Sequence, residues 1–132
     1  MLVFYGKPED SGLSGRWLYV WRPVPGFEWI YRINQIGDSV VARIDGMGSF
    51  IAATRGADCY LGKIFFSGTL NGSEIAVTMG SDELSSCRGP GKGHGQKGIL
   101  RVSPDKNRIT AISGLETWRN VGFDLKRMDP EP

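Results

Sequence analysis

Residues 13–21 read Leu13-Ser14-Gly15-Arg16-Trp17-Leu18-Tyr19-Val20-Trp21. In a strand, whose side chains alternate between two faces, Trp17, Tyr19 and Trp21 fall on the same side. Three large rings on one face require a covered interior. Gly15, just ahead of them, marks a point where the backbone turns sharply or comes close to another strand. The stretch predicts the first strand of a small antiparallel barrel.

The rest of the chain keeps this character. Its 19 Gly and 7 Pro among 132 residues leave 27–36 as the longest uninterrupted stretch, shorter than a mean helix of about 11 residues. The remaining segments are short and rich in Val, Ile, Thr and aromatics, with turn signals recurring about every ten residues, as in an all-β domain. Arg22-Pro23-Val24-Pro25-Gly26 reads as a stiff turn at one mouth of the barrel. Beyond it, Phe27, Trp29, Tyr31 and Ile33 should point inward against Glu28, Arg32 and Asn34, with Ile30 the exception. Further strands are expected at 40–44, weakly near 50–54, and at 60–70, 74–79, 99–103, 108–112 and 118–128. Asn71-Gly72 suits a type I′ hairpin, in which both central residues need positive φ. The segment 81–87 is the only candidate helix, of one or two turns with Ser81 as N-cap, and reads equally well as a loop. Eight or nine antiparallel strands joined mostly by short hairpins give a closed up-and-down β-barrel over 13–128, with an N-terminal arm at 1–12 and a tail at 129–132. At roughly eight strands such an interior is either packed solid or holds one small ligand.

The net charge of +2, from 16 Lys and Arg against 14 Asp and Glu, sets up no general field for nucleic acid or an anionic membrane. No apolar run approaches the roughly 18 residues of a membrane span. The chain as written reads as soluble and cytoplasmic, with export open if a leader has been removed, and as a monomer or homodimer. Cys59 and Cys87 lie in no CxxC and have no His at metal spacing, so no metal site is expected. A pair of buried thiols and a single disulfide remain equally open.

Gly93-His94-Gly95-Gln96-Lys97-Gly98 matches GxGxxG, but a dinucleotide site needs that string to open a helix. Here the strand-like Ile99-Leu100-Arg101-Val102 follows, so no nucleotide site and no cofactor is inferred. The loop 89–98 is either a solvated connection or a lid at the barrel mouth offering Lys92, His94 and Lys97 to an acidic ligand. His94 is the chain's single histidine and sits among glycines and lysines, whereas a general base has to be held in place. By alternation Glu28, Glu74 and Asp124 face solvent, and Asp58 is the acid least constrained to the outside. No catalytic residue is assigned.

Gly15-Arg16-Trp17 on the first strand resembles the Gly-x-Trp signature of the lipocalins and their calycin relatives, small up-and-down barrels that bind apolar molecules in the mouth. The resemblance covers the first strand, the hairpin rhythm and the end of the chain. It implies a basic residue near the last strand packed over the signature Trp, for which Arg127 is best placed and Arg119 second. The lipocalin helix after the barrel is missing, which favours a shorter calycin, and small bacterial metalloprotease inhibitors are similar at the same place.

The function expected is the binding of one small, largely apolar or aromatic molecule inside the barrel. Its wall would come from Tyr19, Trp21, Phe27, Trp29, Tyr31, Phe66 and Phe123, because rings supply large apolar area and Tyr or Trp adds one orienting donor. Gly15, Trp17 and Arg127 are assigned to the closed end. Two other readings stay open. One is a cofactor-independent isomerase or cyclase, in which Tyr19 or Tyr31 and a buried acid steer a reactive substrate. The other is a protein-interaction barrel such as a protease inhibitor, using residues 1–12 or the glycine-rich loop.

Overall fold

The computed structural model describes residues 12–21, 23, 25–55, 57–84, 95–120 and 122–128. Residues 1–11 of the expected arm, most of the glycine-rich loop with Lys92 and His94, and the tail at 129–132 lie outside them. Eight antiparallel strands form a closed up-and-down barrel in sequence order. They are β1 (Gly15–Val20), β2 (Glu28–Ile36), β3 (Ser39–Met47), β4 (Ile64–Asn71), β5 (Glu74–Met79), β6 (Lys97–Val102), β7 (Arg108–Gly114) and β8 (Asp124–Arg127). Among the described residues three short α-helices interrupt the strands: α1 (Ser49–Arg55), α2 (Ala57–Tyr60) and α3 (Glu116–Asn120). Among the described residues no helix is long and apolar enough to cross a membrane.

The two ends of the barrel differ. Tight connections at 37–38, 72–73 and 103–107 close one end, while the longer connections after β1, β3, β5 and β7, which carry every described helix, leave from the other. Inward residues follow the period of two, with Trp17 and Tyr19 on β1 and Trp29, Tyr31 and Ile33 on β2 all buried.

Several elements correct the sequence reading. The expected strand near 50–54 is helix α1, and 45–47 extends β3 instead of turning. Period two and a helical turn are hard to tell apart over five residues, and the Ala52-Ala53 pair in Ser49-Phe50-Ile51-Ala52-Ala53 favours the helix. The expected strand at 60–70 begins only at Ile64, because Tyr60 still belongs to α2. The expected strand at 118–128 is split into α3 and the four-residue β8. Gly122, with φ of 68°, reverses the chain between them. At 81–87 only Asp82–Leu84 is described as a 3-10 turn. The β4–β5 hairpin forms, but Asn71 pairs with Glu74 and the central residues are Gly72 and Ser73. Only Gly72 has positive φ (66°), which is the φ pattern of a type II′ turn, with glycine first.

At the closed end Trp17 is fully buried and its indole Nε1 donates to the Leu13 carbonyl at 3.0 Å. The Arg127 guanidinium lies over the indole, with Cζ 4.6 Å from the ring centroid. It also donates to the carbonyls of Lys106 (3.0 Å), Ser14 (3.2 Å) and Gly12 (2.9 Å). One planar cation thus ties the start of the barrel to its end and to the β6–β7 turn, a task suited to a fork of fixed donors.

Gly15 sits beside it with φ of 143°, and a Cβ there would stand 3.2 Å from Arg127 Nη1. Gly15→Ala therefore strains the backbone and presses on the guanidinium. We expect it to lower unfolding stability by about 1–3 kcal/mol, read as a lower urea midpoint with an unchanged slope.

Candidate functional site

The aromatic residues divide into two groups. Tyr19, Trp29, Tyr31, Phe66 and Phe123 come together inside the barrel toward the end that carries the helices, all buried. Trp21 and Phe27 pack against this core from its edge. They lie just past the ends of β1 and β2, half-buried, with ring centroids 5.2 Å apart, and Phe27 meets Phe50 of α1 at 6.0 Å. The main chains of Trp21 and Phe27 still pair just past the strand ends, the Trp21 N–H donating to the Phe27 carbonyl at 3.0 Å.

Three rings absent from the expected wall complete the inner group. Phe65 is buried next to Phe66 in sequence, which strict alternation forbids. A bulge explains it. Ala42 pairs with Phe66 but Arg43 pairs with Ile64, so Phe65 is an extra residue on β4 and is turned inward. Its ring stacks on Tyr31 at 4.7 Å and meets Trp118 edge-on at 5.2 Å. Tyr60 on α2 packs edge-on against Trp29 at 5.4 Å, and Trp118 on α3 packs against Phe123 at 5.5 Å. The adjacent Phe65-Phe66 pair was a legible hint of a bulge, whereas Tyr60 and Trp118 were hidden by the misread helices.

Phe123 is the centre of the group. It lies within 5.4–6.5 Å of the rings of Tyr19, Tyr31, Phe65, Phe66 and Trp118. It is held by main-chain bonds from its N–H to the Trp118 carbonyl (3.0 Å) and from the Ala111 N–H to its carbonyl (3.3 Å). The α3 cap is itself tied to the start of β6. Gln96 Nε2 donates to Thr117 Oγ1 at 2.9 Å, and the Thr117 N–H donates to Gln96 Oε1 at 3.2 Å.

The one polar atom of the cluster that stands out is the Tyr31 hydroxyl. It is fully buried, and among the described residues it has no hydrogen-bond partner. Burial and then the neighbouring Tyr19 push its pKa well above 10.0, and burial pushes Tyr19 up to about 12. Both phenols are thus neutral O–H groups at any physiological pH. An unpaired buried hydroxyl costs about 1–3 kcal/mol, and native structures carry few of them.

No charged side chain is buried among the described residues. Glu74 pairs with Arg101 at 3.1 Å and Asp124 pairs with Arg108, both at the surface. The Asp58 side chain and His94 lie outside the described residues. Among the described residues no three His, Cys, Asp or Glu stand together as a metal could require. Cys59 is disulfide-bonded, while Cys87, the other cysteine of the chain, lies outside the described residues. No family model, curated protein or solved structure matches the chain.

Proposed function

We propose that the protein binds a small, largely apolar or aromatic molecule in the helix-capped half of the barrel, with the Tyr31 hydroxyl as its polar contact. The observation that carries this reading is the buried hydroxyl of Tyr31, which has no partner among the described residues, inside a cluster of rings. A ligand carbonyl, ether or phenol oxygen would accept its proton, and the rings would supply the apolar contact. Admission requires some rings to move. Tyr60 and Trp118 are the ones carried by helices of four and five residues, lengths at which a helix has little stability of its own. The Gly15-Arg16-Trp17 stretch beneath Arg127 supports placing this barrel with the calycins.

The test is a titration of the intact protein with apolar ketones and phenols, followed by Trp fluorescence, on wild type and Tyr31→Phe. Removing an unpaired hydroxyl should stabilise the ligand-free protein by about 1 kcal/mol. The same change should weaken the best ligand about tenfold, the equivalent of about 1.4 kcal/mol. A panel that leaves the fluorescence unchanged, or a Tyr31→Phe variant that binds as tightly as wild type, would overturn the reading.

A further inference from the structure

A second feature lies outside the barrel, at the seam where it closes. The β1–β8 register consists of two pairs, Trp17 with Arg127 and Leu18 with Lys126, whereas β1 and β2 share six. The Arg16 carbonyl accepts from the Met128 N–H. By the period of two, Leu18 and Val20 therefore also turn their main-chain groups toward β8. The ladder has ended before Val20, so its main-chain N–H and C=O lie beyond the last register pair. A groove of about 470 Å³ opens there.

Its two sides differ in chemistry. Leu18, Val20, Trp21 and Pro23 make one side apolar, and Val20 is exposed on the outer face of β1. Arg108, Asp124 and Lys126 make the other side charged. Arg108 and Lys126 stand directly opposite each other on β7 and β8, an arrangement of like charges that destabilises a sheet. Asp124 offsets one of them by pairing with Arg108. Among the described residues Lys126 has no ion-pair partner. The groove thus carries one uncompensated positive charge beside an apolar wall.

We propose that this groove binds a small amphipathic carboxylate. The acid lies against the Lys126 ammonium, within reach of the Val20 main-chain donor, and the hydrocarbon lies on Leu18, Val20 and Trp21. The site is independent of the interior one, because Leu18, Val20 and Lys126 occupy the outward positions of their strands while Trp17, Tyr19 and Leu125 occupy the inward ones.

The probe is 4-phenylbutyrate, titrated into the isotopically labelled full chain and followed by backbone amide shifts. Saturable shifts are expected at Val20 and Lys126, with at least a tenfold rise in Kd for Lys126→Glu, a smaller rise for Lys126→Gln, and none for Tyr31→Phe. 4-Phenylbutanol, which lacks the charge, should bind at least tenfold more weakly. Lys126 is exposed, so both of its variants should retain the wild-type amide pattern elsewhere. Unchanged affinity in Lys126→Glu, equal binding of the alcohol, or shifts centred on Tyr31 and Phe123 would each overturn the proposal.

Discussion

Phe123→Ala should lower the stability of the barrel by about 3–5 kcal/mol, the range for removing a large ring from a packed core. Phe123 is buried and touches five other rings, contributed by β1, β2, β4 and α3. No single neighbour can collapse into the space, because those rings are fixed by different elements. The cavity term therefore adds to the lost transfer energy. Urea unfolding followed by far-UV circular dichroism measures it, with Ile36→Ala as the control. Ile36 is 80% exposed at the β2–β3 turn, and its truncation should change stability by less than about 0.5 kcal/mol. A loss at Phe123 no larger than at Ile36 would show that the ring cluster is not a packed unit.

Alkaline pH is the second condition expected to act strongly. In the unfolded chain a tyrosine ionises near 10.0, while burial holds Tyr31 well above that value and Tyr19 near 12. Between the two values the unfolded state has released a proton that the folded state retains, so stability falls as pH rises. Below the unfolded value neither residue adds any pH dependence. Above it, each fully suppressed group costs about 1.4 kcal/mol per pH unit. Urea midpoints measured from about pH 8 to about pH 11.5 should fall steeply in the upper part of that range. They should fall less steeply in Tyr31→Phe, and lysine deprotonation, common to both proteins, cancels in the comparison. Equal slopes would mean that the Tyr31 hydroxyl reaches solvent.

The barrel itself was legible because period-two alternation is a local property. Trp17 and Tyr19 on β1, and Trp29, Tyr31 and Ile33 on β2, share a face whatever surrounds them, and a chain cut this finely by glycine and proline has no room for long helices. The location of the β4–β5 hairpin was legible for the same reason, although its register, and with it the turn type, depended on which residues of the two strands paired. The helices were not legible, because segments of four to seven residues satisfy either period and are decided by what they pack against. Tyr60 and Trp118, presented by α2 and α3, were hidden with them.

What the tertiary structure alone decided are the departures from alternation and the closure of the barrel. Phe65 enters the core because β3 and β4 slip by one residue between Arg43 and Ala42, and a register exists only between two strands. Trp21 and Phe27 pack against the core only from its edge, because they lie past the ends of β1 and β2. The unpartnered Tyr31 hydroxyl, the three carbonyls gathered by Arg127 and the groove at the β1–β8 seam all join residues far apart in the chain. Alternation set which residues of β1 and β2 lined the barrel; only the folded arrangement brought in Phe65, Tyr60 and Trp118 and left the Tyr31 hydroxyl without a partner among the described residues.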